Sequence, residues 1–150
     1  MPEDSRWMAR ALEMAQLARI RDEVPVGAVI VREGRLLAEG YNRTNLDSDP
    51  TAHAEVVAIR KASRRFGGWR LTDCTLYATL EPCALCAGAV VLARIPRLVF
   101  AAEDPKAGMA GSLENLVQDR RLNHQVSLTR GVLADSSARL LRDFFRERRR

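Results

Sequence analysis

His53-Ala54-Glu55 is followed, 28 residues after His53, by Glu81-Pro82-Cys83-Ala84-Leu85-Cys86. Between them these two short runs supply three candidate metal ligands, His53, Cys83 and Cys86, and one candidate proton-transfer carboxylate, Glu55. Zn²⁺ prefers four tetrahedral ligands; structural sites fill all four with protein, whereas catalytic sites leave one to water. His53, Cys83 and Cys86 as ligands, with Glu55 beside them, therefore read as a hydrolytic zinc centre with Glu55 as its proton carrier. The scarcity of other donors sharpens the reading. The chain has three cysteines and two histidines, so a closed site would have to recruit Cys74 or His124, and neither stands at a ligand-like spacing. Two thiolates cancel the dication's formal charge, so such a zinc acidifies its water less than an all-imidazole site, and a nearby base is needed.

The elements around these residues must aim them at one point. Pro82 has the fixed φ and missing N–H that favour a first helical position, which predicts a helix from Pro82 to about Ala93 with Cys83 and Cys86 on one face of its first turn. A helix N-terminus also favours thiolates. Asp49-Pro50-Thr51 likewise reads as a helix start, which puts His53 in the opening turn. Residues two apart on a helix diverge, so His53 and Glu55 require an adjusted first turn. The competing reading of Cys83 and Cys86 is a thiol redox pair; it leaves His53 and Glu55 without a role. Cys74 reads as a small buried residue at a strand edge.

Elsewhere, Trp7, Met8, Ala11, Leu12, Ala15 and Ala18 recur at helical spacing, predicting an amphipathic helix over about 5–21. Val26 to Val31 and Leu36 to Tyr41 flank Glu33-Gly34 and read as an antiparallel hairpin. Gly67-Gly68 marks a helix stop, Thr75 to Thr79 and Leu98 to Ala101 read as further strands, and Val126 to Val132 is a weaker one interrupted by Arg130-Gly131. Asp135-Ser136-Ser137 reads as the cap of a last helix. Strands alternating with helices imply crossovers and parallel pairing in the second half. No repeat, linker or low-complexity tract breaks the chain, and 150 residues with 47% apolar content suit one domain over 1–150.

Charged residues interrupt every apolar run well short of the ~18 residues a membrane span requires, and the N-terminal segment is amphipathic rather than signal-like. With so few cysteines, a cytoplasmic location is expected. The net charge is +5, and six arginines fall within 139–150. That is a basic footprint suited to phosphates, although an arginine-rich terminal helix can equally be a solvated face. Leu140, Leu141, Phe144 and Phe145 form an apolar stripe expected mostly to dock on the domain.

The motif H-x-E with P-C-x-x-C resembles that of the zinc nucleobase deaminases. The chain is most similar to the bacterial tRNA-specific adenosine deaminases, through Glu23-Val24-Pro25-Val26-Gly27-Ala28-Val29, Asn42, Asp49 to Glu55, Leu76-Tyr77, Thr79 to Cys83 and Cys86 to Ala89. Asp104, Lys106, Gly108, Gly111-Ser112-Leu113, Asn123-His124 and Asp143 to Arg146 extend the likeness to nearly the whole chain. The resemblance implies an α/β, three-layer α/β/α cytidine-deaminase-like fold, with a mixed five-stranded sheet and helices on both faces. It implies one Zn²⁺ per subunit, a homodimer, and a tRNA anticodon stem-loop as substrate, whose wobble adenosine is deaminated hydrolytically to inosine with Glu55 as base and then acid. By the same resemblance, Asn42 hydrogen-bonds the base, Ala54 contributes its backbone and Val26 an apolar wall. Asp104 and Lys106 meet flanking nucleotides, and Phe144, Phe145 and Arg146 lie beside the RNA. Asp104 and Lys106 read equally well as solvated loop charges. Two departures stand out: Leu85 replaces a commoner methionine, and Pro105 follows Asp104 in the RNA-contacting loop. The alternatives are a deaminase of free nucleobases or nucleosides of the guanine or cytosine type, and a non-enzymatic RNA-binding module stabilised by zinc.

Overall fold

A computed structural model describes residues 2–148. Of the C-terminal arginines, Arg149 and Arg150 lie outside the described residues. The elements run α1 (Pro2–Ile20), β1 (Gly27–Arg32), β2 (Arg35–Tyr41), α2 (Ala54–Phe66), β3 (Cys74–Leu80), α3 (Ala84–Leu92), β4 (Arg97–Ala102), a 3-10 turn (Leu116–Gln118), β5 (Ser127–Arg130) and α4 (Ala134–Arg148). The sheet order is β2-β1-β3-β4-β5. β1 is antiparallel to β2 and β3, while β3–β4 and β4–β5 are parallel. This is the expected mixed sheet.

The hairpin turns at Glu33 (φ 52°) and Gly34 (φ 75°). Two left-handed residues in a row match the right-handed twist of the flanking strands, as a type I′ turn does. The central strands bury both faces, as their apolar runs demand. On one face, Ala28, Ile30, Leu76, Leu98 and Phe100 pack against Ala54, Ala58 and Ala62 of α2 and Ala87, Val90 and Val91 of α3. On the other, Val29, Val31, Tyr77, Val99 and Ala101 pack against Trp7, Met8, Ala11 and Met14 of α1. α4 packs on β4 and β3, and its last turn is tied to the end of α1 by Arg19–Glu147 and to the following turn by Arg148–Asp22 at 2.8 Å.

Close packing of helices on strands depends on two glycines. A Cβ on Gly27 would stand 2.1 Å from the Ala11 carbonyl, and one on Gly40 would stand 2.8 Å from the Ala54 carbonyl. The backbones of β1 and β2 thus touch α1 and α2 directly, which sets α2 hard against the sheet where its N-terminus carries His53.

Three element starts differ from expectation. α2 begins at Ala54, not at Pro50: Asp49 turns back on Thr51, accepting from its N–H at 2.8 Å and its hydroxyl at 2.7 Å. This side-chain turn competes with the helix. α3 begins at Ala84, with Pro82 outside it. α4 begins at Ala134, so Asp135, Ser136 and Ser137 occupy its first turn rather than capping it. Ser137 is buried, and its hydroxyl donates to the Thr79 carbonyl, anchoring α4 to β3. Gly67 ends α2 as expected, left-handed at φ 82° with its N–H on the Ser63 carbonyl.

Candidate metal centre and cleft

His53 and Cys83 each occupy the residue immediately before a helix. His53 is extended (φ −74°, ψ 152°) ahead of α2, and Cys83 is extended (φ −75°, ψ −177°) ahead of α3. Both carbonyls accept the first helical hydrogen bond, from Val57 at 2.9 Å and Ala87 at 2.8 Å. The extended backbone aims both side chains into the gap between the two helix N-termini, where Cys86 joins them from the first turn of α3. Because His53 stands outside the helix and Glu55 inside it, the two converge without any adjusted turn.

His53 Nδ1 lies 3.5 Å from Cys83 Sγ and 3.4 Å from Cys86 Sγ, and the three donor atoms all lie within 4.8 Å of one another. Zn–N and Zn–S bonds of about 2.1 and 2.3 Å at a tetrahedral angle separate N from S by about 3.6 Å. The residues present thus fit a metal ion bound on three sides. The other candidate donors stand elsewhere: Cys74 is buried at the start of β3, and His124 Nε2 sits 2.8 Å from the Ile95 carbonyl.

The electrostatics favour the ligating thiolate at Cys83. The Cys83 thiol is pulled down to about 3 by hydrogen bonds from Cys86 and His53. Cys86, the donor toward Cys83, is pushed up by that bond and by burial, with Glu55 nearby adding to the effect. The hydrogen bond with Cys83 raises His53. Glu55 is 4% exposed, and burial raises its carboxyl to about 7. A carboxyl poised near neutrality can both take and return a proton.

A cleft of about 320 Å³ opens on this centre, lined by Val24, Val26, Asn42, Thr44, His53, Ala54, Glu55, Leu80, Cys83, Asp104 and Ala107. Val26, Asn42, Ala54 and Asp104 thus meet around His53, Glu55 and Cys83. Val24, Thr44, Leu80 and Ala107 were not foreseen as cleft residues; Leu80 ends β3, the others stand in loops, and none carries chemistry that singles it out. Beyond Val24, Leu80 and Asp104, which line both cavities, lies a groove of about 740 Å³. Lys106, Arg142, Phe145 and Arg146 line it, and so does Pro105.

Phe144 does not reach the groove. It is 5% exposed, meets Phe145 edge-on at 5.4 Å, and has Arg148 stacked on it at 4.6 Å. With Asp22 also bound to Arg148, that arginine joins α4 to the body of the protein, so part of the terminal basic charge is structural.

Two further residues escaped the sequence reading, the buried Glu23 and Glu81. Glu23 accepts from the N–H groups of Asn45 at 3.1 Å and Leu46 at 2.7 Å, clamping the loop that follows Asn42. Burial works against the Glu81 carboxylate, but hydrogen bonds from Ser112, Asp104 and Ala110 outweigh it and hold it below the usual range. Both glutamates flank informative motifs, yet no spacing rule marks a carboxylate that binds its own backbone.

Residues 2–149 match the sequence profile of the MafB19-like deaminases. A tRNA-specific adenosine deaminase of Bacillus subtilis (strain 168) is 45% identical over 150 residues, covering 100% of this chain and 93% of the relative. One from Haemophilus influenzae (strain ATCC 51907 / DSM 11121 / KW20 / Rd) is 46% identical over 147 residues, covering 97% and 85%. A solved structure from a study of A-to-I editing by tRNA:A34 deaminases superposes with a TM-score of 0.88 at 43% identity, covering 91% of this chain and 99% of that one. A guanine deaminase from Nitrosomonas europaea superposes with a TM-score of 0.81 at 27% identity, covering 93% and 83%.

Proposed function

This chain belongs to the MafB19-like deaminase family, among its tRNA-specific adenosine deaminases, and from that premise we propose that it is a zinc-dependent hydrolase converting the wobble adenosine of a tRNA anticodon loop to inosine. His53, Cys83 and Cys86 would hold the zinc. Bound there, the ion supplies the Lewis acidity that makes a water nucleophilic near neutral pH. Glu55 takes a proton from the water that adds to C6 of adenine and passes it to the ring nitrogen, then takes the second proton from the hydroxyl formed at C6 and passes it to the departing amine, so that ammonia leaves and inosine remains. Its burial keeps the carboxyl in the range where it can do both. Asn42 offers its amide to the base, Val26 an apolar wall and Ala54 its backbone.

The observation that carries the polynucleotide reading is the continuity of the cleft with the adjoining groove. A free base would end in the cleft, whereas the groove continues past Asp104 to Phe145, Arg146 and Lys106. An aromatic ring and arginine planes suit a splayed single strand, and cationic side chains suit its phosphates. The same reading places the protein in the cytoplasm, where its substrate is; no described helix is long and apolar enough to cross a membrane. We propose a homodimer as well, as the family resemblance implies; Leu85 and Leu92, seven residues apart on one side of α3 and 41% and 70% exposed, would suit its contact. Sedimentation of the zinc-loaded protein at twice the 16.8 kDa chain mass is the expected result.

The deciding experiment incubates the zinc-loaded protein with tRNA or an anticodon stem-loop and sequences the product. Adenosine at the wobble position read as guanosine supports the proposal. Ammonia release from free guanine, cytosine or nucleosides, with no change in tRNA, would replace it with the small-substrate reading.

A further inference from the structure

Past the end of β3, Glu81 lines neither the cleft nor the groove and is 2% exposed. Oε1 accepts from the Asp104 N–H at 3.0 Å and from the Ser112 hydroxyl, and Oε2 accepts from the N–H groups of Ala110 at 3.1 Å and Ser112 at 2.9 Å. Residues 104–112 thus wrap around one buried anion. Gly108 lies so close over it that an added Cβ would stand 2.3 Å from Glu81 Cδ and 2.5 Å from the Asp104 carbonyl oxygen. Met109 donates to the Pro82 carbonyl at 2.9 Å, and Asp104 turns its own carboxylate onto the N–H groups of Lys106 and Ala107 at 3.1 and 3.2 Å.

Residues 103–108 contain no helix or strand, so their path depends on these bonds. The segment they shape forms the lip between the two cavities: Asp104 lines both, Ala107 the cleft, and Glu103, Pro105 and Lys106 the groove. We infer that Glu81 is a positioning residue for specificity, fixing the lip through which the protein reads the nucleotides that flank the reacting adenosine. This inference rests on the polynucleotide reading above. Glu81 acts through Asp104 and Lys106 and touches neither the metal donors nor the cleft.

Glu81→Gln keeps the shape but turns an NH₂ toward N–H groups, leaving buried donors unpaired. Ser112→Ala removes the hydroxyl bond alone and leaves the carboxylate in place. Each zinc-loaded variant is compared with the parent by amide hydrogen exchange, zinc content, and kcat and KM on stem-loops that differ only in the flanking nucleotides. For Glu81→Gln, zinc should stay at the parent stoichiometry. Exchange within 104–112 should rise by about tenfold or more while α2 stays protected. KM should rise by about tenfold with kcat nearly preserved, and the preference among flanking sequences should shrink. Ser112→Ala should shift the same quantities by less, and it carries the test if Glu81→Gln does not fold. Unchanged exchange and KM would overturn the inference, as would a fall in zinc and kcat with KM and flanking preference intact, which marks a purely structural carboxylate. If the parent leaves RNA untouched, the functional reading fails on its own and takes the specificity role with it, while the exchange data report separately whether Glu81 holds the loop.

Discussion

Asn42→Leu should make this protein more stable and a poorer catalyst at once. Asn42 follows β2 at 8% exposure, held by its backbone N–H on the Val26 carbonyl at 3.1 Å, and its side chain lines the cleft beside Glu55. Its Oδ1 is buried without a hydrogen-bond partner among the described residues. A buried acceptor left unpaired costs about 1–3 kcal/mol. Leucine keeps the branched skeleton without polar atoms, so the variant should gain stability of that order, about 2–12 °C in Tm for a chain of this size. The same change removes the amide from the wall against which the base must sit, and sites built to hydrogen-bond a substrate discriminate strongly against its loss. We expect kcat/KM on an anticodon stem-loop to fall by about 10²-fold or more. Denaturant unfolding of both zinc-loaded proteins and initial rates on one RNA suffice. A structural asparagine would behave oppositely, losing stability and keeping its rate. A variant less stable than the parent, or one with unaltered kcat/KM, refutes the reasoning.

Glu55→Gln should retain zinc while turnover drops by about 10²–10⁴-fold, the range for losing a positioned proton carrier; metal analysis and single-turnover kinetics check both halves. Asp4, buried in the first turn of α1, accepts from Arg97 at 2.8 and 2.7 Å and from the Tyr77 hydroxyl at 2.8 Å. The Arg97 hydrogen bonds hold its carboxyl below the ordinary value. A lowered folded-state pKa gives stability that is present above the unfolded value near 3.8 and is lost as pH falls through the folded one. Asp4→Asn should therefore cost about 1–3 kcal/mol at pH 7, with the gap to the parent closing below pH ~4 in unfolding titrations. Gly27→Ala, which drives a Cβ into the Ala11 carbonyl, should cost about 3 kcal/mol or more, or force α1 off the sheet; reduced soluble yield and a lower Tm report it.

The fold was legible where one physical rule spoke alone. Two β-rich runs around Glu33-Gly34 announced the β1–β2 hairpin, and the runs Thr75 to Thr79 and Leu98 to Ala101 announced β3 and β4, buried on both faces. The candidate metal donors were legible because histidine and cysteine are scarce here and His53, Cys83 and Cys86 alone stand at ligand-like spacing. What the sequence hid was the carboxylate scaffolding. Glu23 and Glu81 stood inside the quoted motifs without a role of their own, because their partners are mostly backbone N–H groups, which every residue except proline carries. Phe144 and Phe145 are adjacent and chemically alike; only the rotation of α4 against the sheet decides that one is core and the other faces the groove.

The displaced helix starts show why motif and geometry need each other. Pro50 and Pro82 carry the usual signal for a first helical position, yet in both segments the metal donor, not the proline, stands at the threshold of the helix. Were Cys83 within α3, its side chain would follow the helical rotation; held extended at ψ −177°, it is free to face His53, itself extended at ψ 152°. The proline ring stiffens the approach to Cys83, and the Pro82 carbonyl ties that approach to Met109 of the lip. Three devices thus converge on a few residues: rigid entry from Pro82, a side chain released by extended backbone at Cys83, and a loop gathered around Glu81. A Pro82→Ala variant should consequently loosen both ends, weakening zinc retention under chelator challenge and raising amide exchange at 109. Loss at only one end would show that the metal centre and the lip are held independently.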